Sequence, residues 1–343
     1  MKQWLVCVCL LLATASVTAQ PVLDDKAVPG LTDAGRKSYR DFLLINLPRA
    51  FAIGQDGAFG WQGGTGTVET ARAKALESCT AKGAGCALYA DGLDVVWQGR
   101  APQTTPPPGP FSSGWNYAIV PDNRFFWRGP AQAVGAYVWG HGLGAMNGNG
   151  ALADARGSQP QNYVRAFNNA GFDVIRFERD PNSDNRDRAA GWLQESLTDL
   201  RRRGYRKIVV GGQSRGGWNS LQMLTHAGLA DAVVAMSPAA HGQGGSTNLT
   251  AQYDDLRQLV ADTPAASTRL AFIQFEADPF AGDLPGRRAL IERLRGRIGP
   301  LLLIDRPDGF TGHFGGNTAL FATRYGPCLV RFVMDPTPPP ACP

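Results

Sequence analysis

Three observations predict an α/β chain: a mostly parallel central sheet flanked by helices, preceded by a small α+β module. First, short apolar β-branched runs at 208–210, 231–236 and 269–275 alternate with segments of helical periodicity, the pattern of parallel strands covered on both faces. Second, the run at 208–210 passes through a glycine-rich turn into a segment where Trp218, Leu221 and Leu224 recur at helical spacing, so strand hands directly to helix. Third, residues 101–110 are rich in proline. Consecutive prolines favour an extended linker and forbid helix or central strand, which sets residues 34–100 apart from 111–334.

At the start, Lys2 precedes an apolar run from Trp4 to Ala13, and Val17-Thr18-Ala19 stands before Gln20. This reads as a secretory signal peptide over 1–19 with an A-x-A-like cleavage site, its apolar run too short to span a bilayer. A secreted or periplasmic protein is expected, with Cys7 and Cys9 leaving in the signal. One lysine leaves too, so 34 basic residues become 33 against 29 acidic ones, a formal charge of +4. The basic residues are scattered, which argues against a nucleic-acid partner. No later segment is apolar for long enough to cross a membrane.

Four cysteines remain: Cys79, Cys86, Cys328 and Cys342. An even count in an exported chain favours disulfides over metal or redox chemistry and allows three connectivities. The local pairs, Cys79 with Cys86 and Cys328 with Cys342, are expected; free thiols are the alternative. Within 34–100, Phe51 to Trp61 reads as two strands around Asp56-Gly57. Thr67 can cap a helix with Val68, Ala71, Ala75, Leu76 and Cys79 on one face. Cys86–Ala90 and Leu93–Trp97 form a second strand pair around Asp91-Gly92. A module this small needs a staple. It carries no nucleophile, metal cluster or phosphate loop, so a structural or gating role is expected.

After the linker, strands are expected at 116–121, 124–128 and 133–139, a helix at 160–170 and a strand at 172–177. The polar run 178–188 reads as a loop. Asp180, Asn182 and Asp184 begin like a calcium loop, but Gly191 stands where the bidentate acid belongs, so no metal is expected. A helix at 192–200 feeds the strand at 208–210, and the helix beyond the turn contains His226. The strand 231–236 runs into a loop with His241, and 242–267 holds one amphipathic helix. The strand 269–275 leads to Glu276-Ala277-Asp278, and 286–294 is a helix. The strand 301–304 leads to Gly309-Phe310-Thr311-Gly312-His313-Phe314-Gly315-Gly316. Residues 335–343 form a proline-rich tail that Cys342 can pin.

The chemistry centres on Gly212-Gln213-Ser214-Arg215-Gly216. A serine forced onto a tight strand-to-helix turn needs neighbours without side chains, because the two backbones approach closely there. A chance glycine turn is the bland alternative, and the strand before and helix after outweigh it. With these parts the stretch from 115 to 334 resembles the α/β-hydrolase superfamily of serine esterases, lipases and peptidases. The resemblance implies Ser214 as nucleophile, His313 as general base and Asp278 as the acid, with Glu276 and Asp283 as alternatives. The order Ser214, Asp278, His313 is that of an α/β-hydrolase. It also implies an oxyanion hole from the backbone N–H groups of Leu143 and Arg215, and no cofactor. His141 is expected to hold its loop; His141 and His241 are also candidates for substrate contact. The module resembles small Cys-bridged domains that precede such units in exported bacterial proteins.

The expected activity is hydrolysis of carboxylic esters, small or polymeric, since no long apolar insertion suggests a large interfacial lid. Arg176 and Arg215 are candidates to meet an acidic substrate. An amidase or peptidase with the same triad, or a non-catalytic binding protein on the same fold, are the alternatives.

Overall fold

A computed structural model describes residues 20–146, 148–149, 151–241 and 248–343; the expected signal peptide, with Cys7 and Cys9, lies outside them. The N-terminal part opens with α1 (Asp33–Leu43), whose Thr32 cap accepts the Gly35 N–H. This helix had no counterpart among the expected elements. It covers a sheet of β1 (Arg49–Ile53) and β2 (Phe59–Gly63), then, after α2 (Val68–Thr80), β3 (Ala87–Asp91) and β4 (Asp94–Val95). The strands run antiparallel in the order β2-β1-β3-β4. Tyr39 and Phe42 of α1 pack on Phe51 and form the aromatic core of this part.

Thr67 caps α2 as expected, and Ala71, Ala75 and Cys79 face inward, whereas Val68 is exposed. Cys79 pairs with Cys86, tying the end of α2 to the start of β3. The expected second strand at 93–97 is shorter: β4 has two residues, and Trp97 opens a 3-10 turn instead. Residues 101–110 contain no helix or strand.

The larger sheet comprises β5 (Ser112–Ser113), β6 (Tyr117–Pro121), β7 (Gly135–Gly140), and, after α3 (Val164–Asn169), β8 (Phe172–Arg179). Helix α4 (Arg186–Arg202) leads to β9 (Ile208–Gln213), α5 (Arg215–Gln222) and β10 (Ala232–Met236). Then come α6 (Leu249–Asp262), β11 (Arg269–Gln274), α7 (Leu284–Glu292), β12 (Leu301–Asp305) and α8 (Ala319–Met334). The eight strands lie in the order β12-β11-β10-β9-β7-β8-β6-β5. From β12 to β8 neighbours are parallel; β6 and β5 add antiparallel pairs at one edge.

Alternation along β9 explains the layers: Ile208 and Val210 join Leu197, Trp218, Leu256 and Leu290 on one face. Val209 joins Val164, Phe167, Phe321 and Leu329 on the other. Helices α4 to α7 therefore cover one face and α3 with α8 the other, which is the α/β-hydrolase fold.

Several boundaries differ from expectation. Residues 124–128 form no strand, because the Asn168 side chain takes both the N–H and the C=O of Phe126, each at 2.9 Å. Helix α3 is shorter than 160–170. Helix α4 begins inside the polar run, where the Asn185 side chain caps it through Asp187 and Arg188. Helix α5 ends at Gln222, so His226 lies beyond it, after a 3-10 turn. Helix α8 was not foreseen, and Cys328 on it pairs with Cys342.

The two sheets meet through buried polar contacts. The Asn46 N–H donates to Asn162 Oδ1 at 2.7 Å, its Nδ2 to the Pro160 carbonyl at 2.7 Å, and its Oδ1 accepts from Arg165 Nε at 3.2 Å.

Candidate active site

At the carboxyl end of β9 the chain turns sharply into α5 through Ser214, whose φ of 57° and ψ of −122° are unusual for a side-chain-bearing residue. The turn is held by three backbone bonds: Ser214 N–H to the Met236 carbonyl at 3.1 Å, and the Ser214 carbonyl accepting from Trp218 at 2.9 Å and Ala239 at 3.1 Å. The flanking glycines answer a close approach. A Cβ on Gly212 would lie 2.7 Å from the Gly216 carbonyl carbon, and a Cβ on Gly216 would enter the Gly140 carbonyl. Ser237, Ala277 and Arg306 also have positive φ, just beyond β10, β11 and β12. Backbone strain is thus concentrated at the carboxyl edge of the sheet, where ligands of open α/β sheets bind.

The loop after β7 lies against this turn, since a Cβ on Gly142 would stand 3.3 Å from Ser214 Cβ. The N–H groups of Leu143 and Arg215 have no acceptor among the described residues. For Arg215 the reason is its place at the first position of α5, where helix geometry leaves N–H groups unpaired.

His141 is 4% exposed, with Nε2 accepting the Arg179 N–H at 3.0 Å and Nδ1 donating to the Gly142 carbonyl at 2.6 Å. Arg179 also donates to the His141 carbonyl at 2.6 Å and pairs with Asp184 at 2.9 Å. Burial, reinforced by the Arg179 charge, pushes the His141 imidazole down to about 3. It is a neutral loop anchor with both nitrogens committed, which leaves it no atom for substrate. Asp184, suggestive of a calcium loop in the sequence, instead balances Arg179.

His313 and Asp278 are 6% and 7% exposed. His313 Nδ1 donates to Asp278 Oδ1 at 2.9 Å and lies 3.0 Å from Oδ2, while Oδ1 also accepts the Phe280 N–H at 2.9 Å. The Phe280 ring lies 4.5 Å from the imidazole. Of the alternatives, Asp283 caps α7, and Glu276 reaches the histidine loop only through its main chain, its carbonyl accepting the Gly312 N–H at 2.7 Å. Gln213 Nε2 donates to the His313 carbonyl at 3.0 Å, joining the residue before the serine to the histidine loop. Ser214 Oγ makes no hydrogen bond among the described residues, a looseness common in ligand-free sites.

Arg287 on α7 gave no signal in the sequence. It is 1% exposed, donates to the Pro238 carbonyl at 2.8 Å, and burial pushes its guanidinium down to about 10 while the Asp278 charge acts in the opposite direction. A buried cation thus sits within electrostatic reach of the carboxylate that holds His313.

His241 is drawn to α6: its N–H donates to Gln252 at 2.9 Å, and its Nε2 lies 2.6 Å from Asp255, which also pairs with Arg186. Residues 242–247, which follow it, lie outside the described residues. The two arginine candidates are corrected. Arg215 is buried, and Arg176 pairs with Glu178 at 3.0 Å and Asp122 at 3.5 Å, so neither is free to meet an acidic substrate. Among the described residues no cluster of three His, Cys, Asp or Glu side chains could hold a metal, and no helix is long and apolar enough to cross a membrane.

No protein-family model matches the chain, and no curated protein does. Solved structures do. An esterase of Pyrococcus furiosus, Pf2001, is 14% identical with a TM-score of 0.44, over 65% of this chain and 91% of its own. Est1E from Butyrivibrio proteoclasticus is 10% identical with a TM-score of 0.44, over 65% and 98%. A puromycin-hydrolyzing peptidase of Mycobacterium tuberculosis is 16% identical with a TM-score of 0.41, over 63% of this chain and 37% of its own. These likenesses are distant, and the assignment of the fold rests on the strand order and layers described above.

Proposed function

We propose that this chain is an exported serine hydrolase that cleaves carboxylic esters through an acyl-enzyme on Ser214, within a catalytic domain spanning 111–334. The observation that carries this reading is the buried His313–Asp278 pair, tied by Gln213 to a serine on a strained strand-to-helix turn. In the mechanism, His313 takes the Ser214 proton as Oγ attacks the ester carbonyl. Asp278 holds the imidazole in the tautomer with Nδ1–H and stabilises the imidazolium that forms. Negative charge develops on the carbonyl oxygen, and the unpaired N–H groups of Leu143 and Arg215 are the donors to meet it. One such donor is worth about 3 kcal/mol of transition-state stabilisation. The imidazolium then protonates the departing alcohol, and water activated by the same histidine releases the acid.

Export is supported by the leader-like residues 1–19 and by two cysteine pairs at disulfide distance. The test is labelling by a fluorophosphonate probe together with turnover of p-nitrophenyl esters of short and long acids. Wild type is expected to label and turn over, and Ser214→Ala to do neither. Labelling of Ser214→Ala, or wild type inert to both, would end the serine reading. Faster turnover of p-nitroanilides than of matched esters would move the activity to amides.

A further inference from the structure

A cavity of about 530 Å³ opens in the N-terminal part, between the 3-10 turn Pro21–Leu23 and the 3-10 turn Trp97–Gly99. It lies outside the site around Ser214, and nothing in the proposed hydrolysis uses it. Its floor is Tyr89, 3% exposed, whose hydroxyl makes no hydrogen bond among the described residues. Burial pushes that hydroxyl's pKa up, with Arg100 acting to lower it and Asp24 to raise it, and both residues line the same cavity. Trp97 is half-buried in the wall, its ring 6.4 Å from that of Tyr89. Gln98 beside it is exposed and held at a φ of 56°, a conformation that a side-chain-bearing residue adopts only under constraint.

The polar side chains around the cavity, with Asp24, Gln98 and Arg100 exposed at its rim, face solvent. Arg100 has no ion pair among the described residues, the Gln20 and Gln98 amides have no side-chain partner there, and Asp24 accepts one bond, from the Lys26 N–H at 3.0 Å. One carboxylate and one guanidinium cancel, which disfavours an ion as occupant. Two carboxamides and a phenol each donate and accept, as hydroxyl groups do. An indole and a phenol add flat apolar surface with a polar tip. A roomy, partly apolar cavity on which a few polar groups converge is the usual form of a ligand site.

We propose that this cavity binds a saccharide unit, a neutral polyhydroxylated ring whose C–H face covers Trp97 and whose hydroxyls bond Tyr89, Asp24 and Arg100. The module then anchors the enzyme to a glycan. This inference stands apart from the chemistry assigned to Ser214.

Calorimetric titration of the purified protein with the β-1,4-linked hexamers of glucose, xylose and N-acetylglucosamine tests it. At least one is expected to bind saturably. Trp97→Ala should weaken it by about tenfold or more, the loss of an aromatic contact. Tyr89→Phe, which keeps the buried ring, should weaken it by roughly threefold to tenfold, the worth of one hydrogen bond. Ser214→Ala should bind as wild type does. Thermal melts of both cavity variants check that they fold. Absence of saturation up to about 10 mM for all three hexamers, affinity unchanged in the folded Tyr89→Phe and Trp97→Ala proteins, or glycine competing the sugar away would each overturn the proposal. Failure of ester turnover with sugar binding intact would sink the reading of Ser214 and leave this one standing.

Discussion

His141 and His313 are both buried on loops at the carboxyl edge of one sheet, and their partners give them opposite duties. His313 keeps Nε2 unengaged and donates through Nδ1 to a carboxylate, whereas His141 spends both nitrogens on backbone groups. The consequence for His141 is a pH-dependent contribution to stability. Its folded value of about 3 lies below the ordinary 6.5, so the unfolded chain takes up the proton first. The contribution is complete above pH 6.5 and fades as pH falls toward 3. In His141→Gln this slope should vanish. The stability gap between wild type and variant is therefore expected to shrink by up to about 1.4 kcal/mol per pH unit across that window. Urea melts at several pH values read it directly, and a constant gap would contradict the assignment. For Asp278→Asn, which removes the charge but leaves the shape, kcat on esters is expected to fall by about 10⁴-fold with little change in KM. A loss under tenfold would move the acid's duty to another residue.

At the scale of elements, the strand-to-helix turn was legible because its requirements are written in five consecutive residues. Gly216→Ala puts a methyl group into the Gly140 carbonyl, and the backbone, unlike a side chain, cannot rotate away. A destabilisation of about 2 kcal/mol or more is expected, seen as a lower thermal midpoint together with weakened fluorophosphonate labelling; a midpoint equal to wild type would show that the two backbones can part. Helix α8 was hidden for a related reason. Gly326 and Pro327 in its middle argue locally against a helix, but Phe321, Leu329 and Phe332 bury their side chains against the sheet, and that burial outweighs the propensity. Helix α4 concealed its start inside a polar run, where Asn185 was one polar residue among many until its side chain was seen to cap the helix.

Across the whole molecule, the α/β part and the N-terminal part are coupled through a few buried polar groups. Arg165 is fully buried, its Nε bonded to Asn46 and its two terminal nitrogens unpaired, with the guanidinium 4.1 Å over the Phe125 ring. Burial lowers its proton affinity well below the ordinary range, and the nearby Arg49 charge adds to the effect. Removing Asn46 strands that cation, so Asn46→Ala should cost about 2 kcal/mol. The double variant Asn46→Ala/Arg165→Met is expected to recover part of the loss, because no buried charge remains. Chemical denaturation of the single and double variants measures the coupling, and strict additivity would mean that the two residues do not communicate.

The amino-acid sequence by itself determined the serine turn and the alternation that makes a covered parallel sheet, and it favoured the local cysteine pairs. Each depends on residues that are neighbours along the chain or repeat at a fixed period. Which of Glu276, Asp278 and Asp283 meets the histidine was decided only by the tertiary structure, because β12 lies beside β11 and brings the two loops together across a separation of 35 residues. The same holds for the commitment of His141 to Arg179 on the adjacent β8, the inward turn of Arg215, and the burial of Arg287 against the Pro238 carbonyl. Those contacts follow from strand order and helix packing, and no local pattern of residues encodes which side chains a folded sheet will bring face to face.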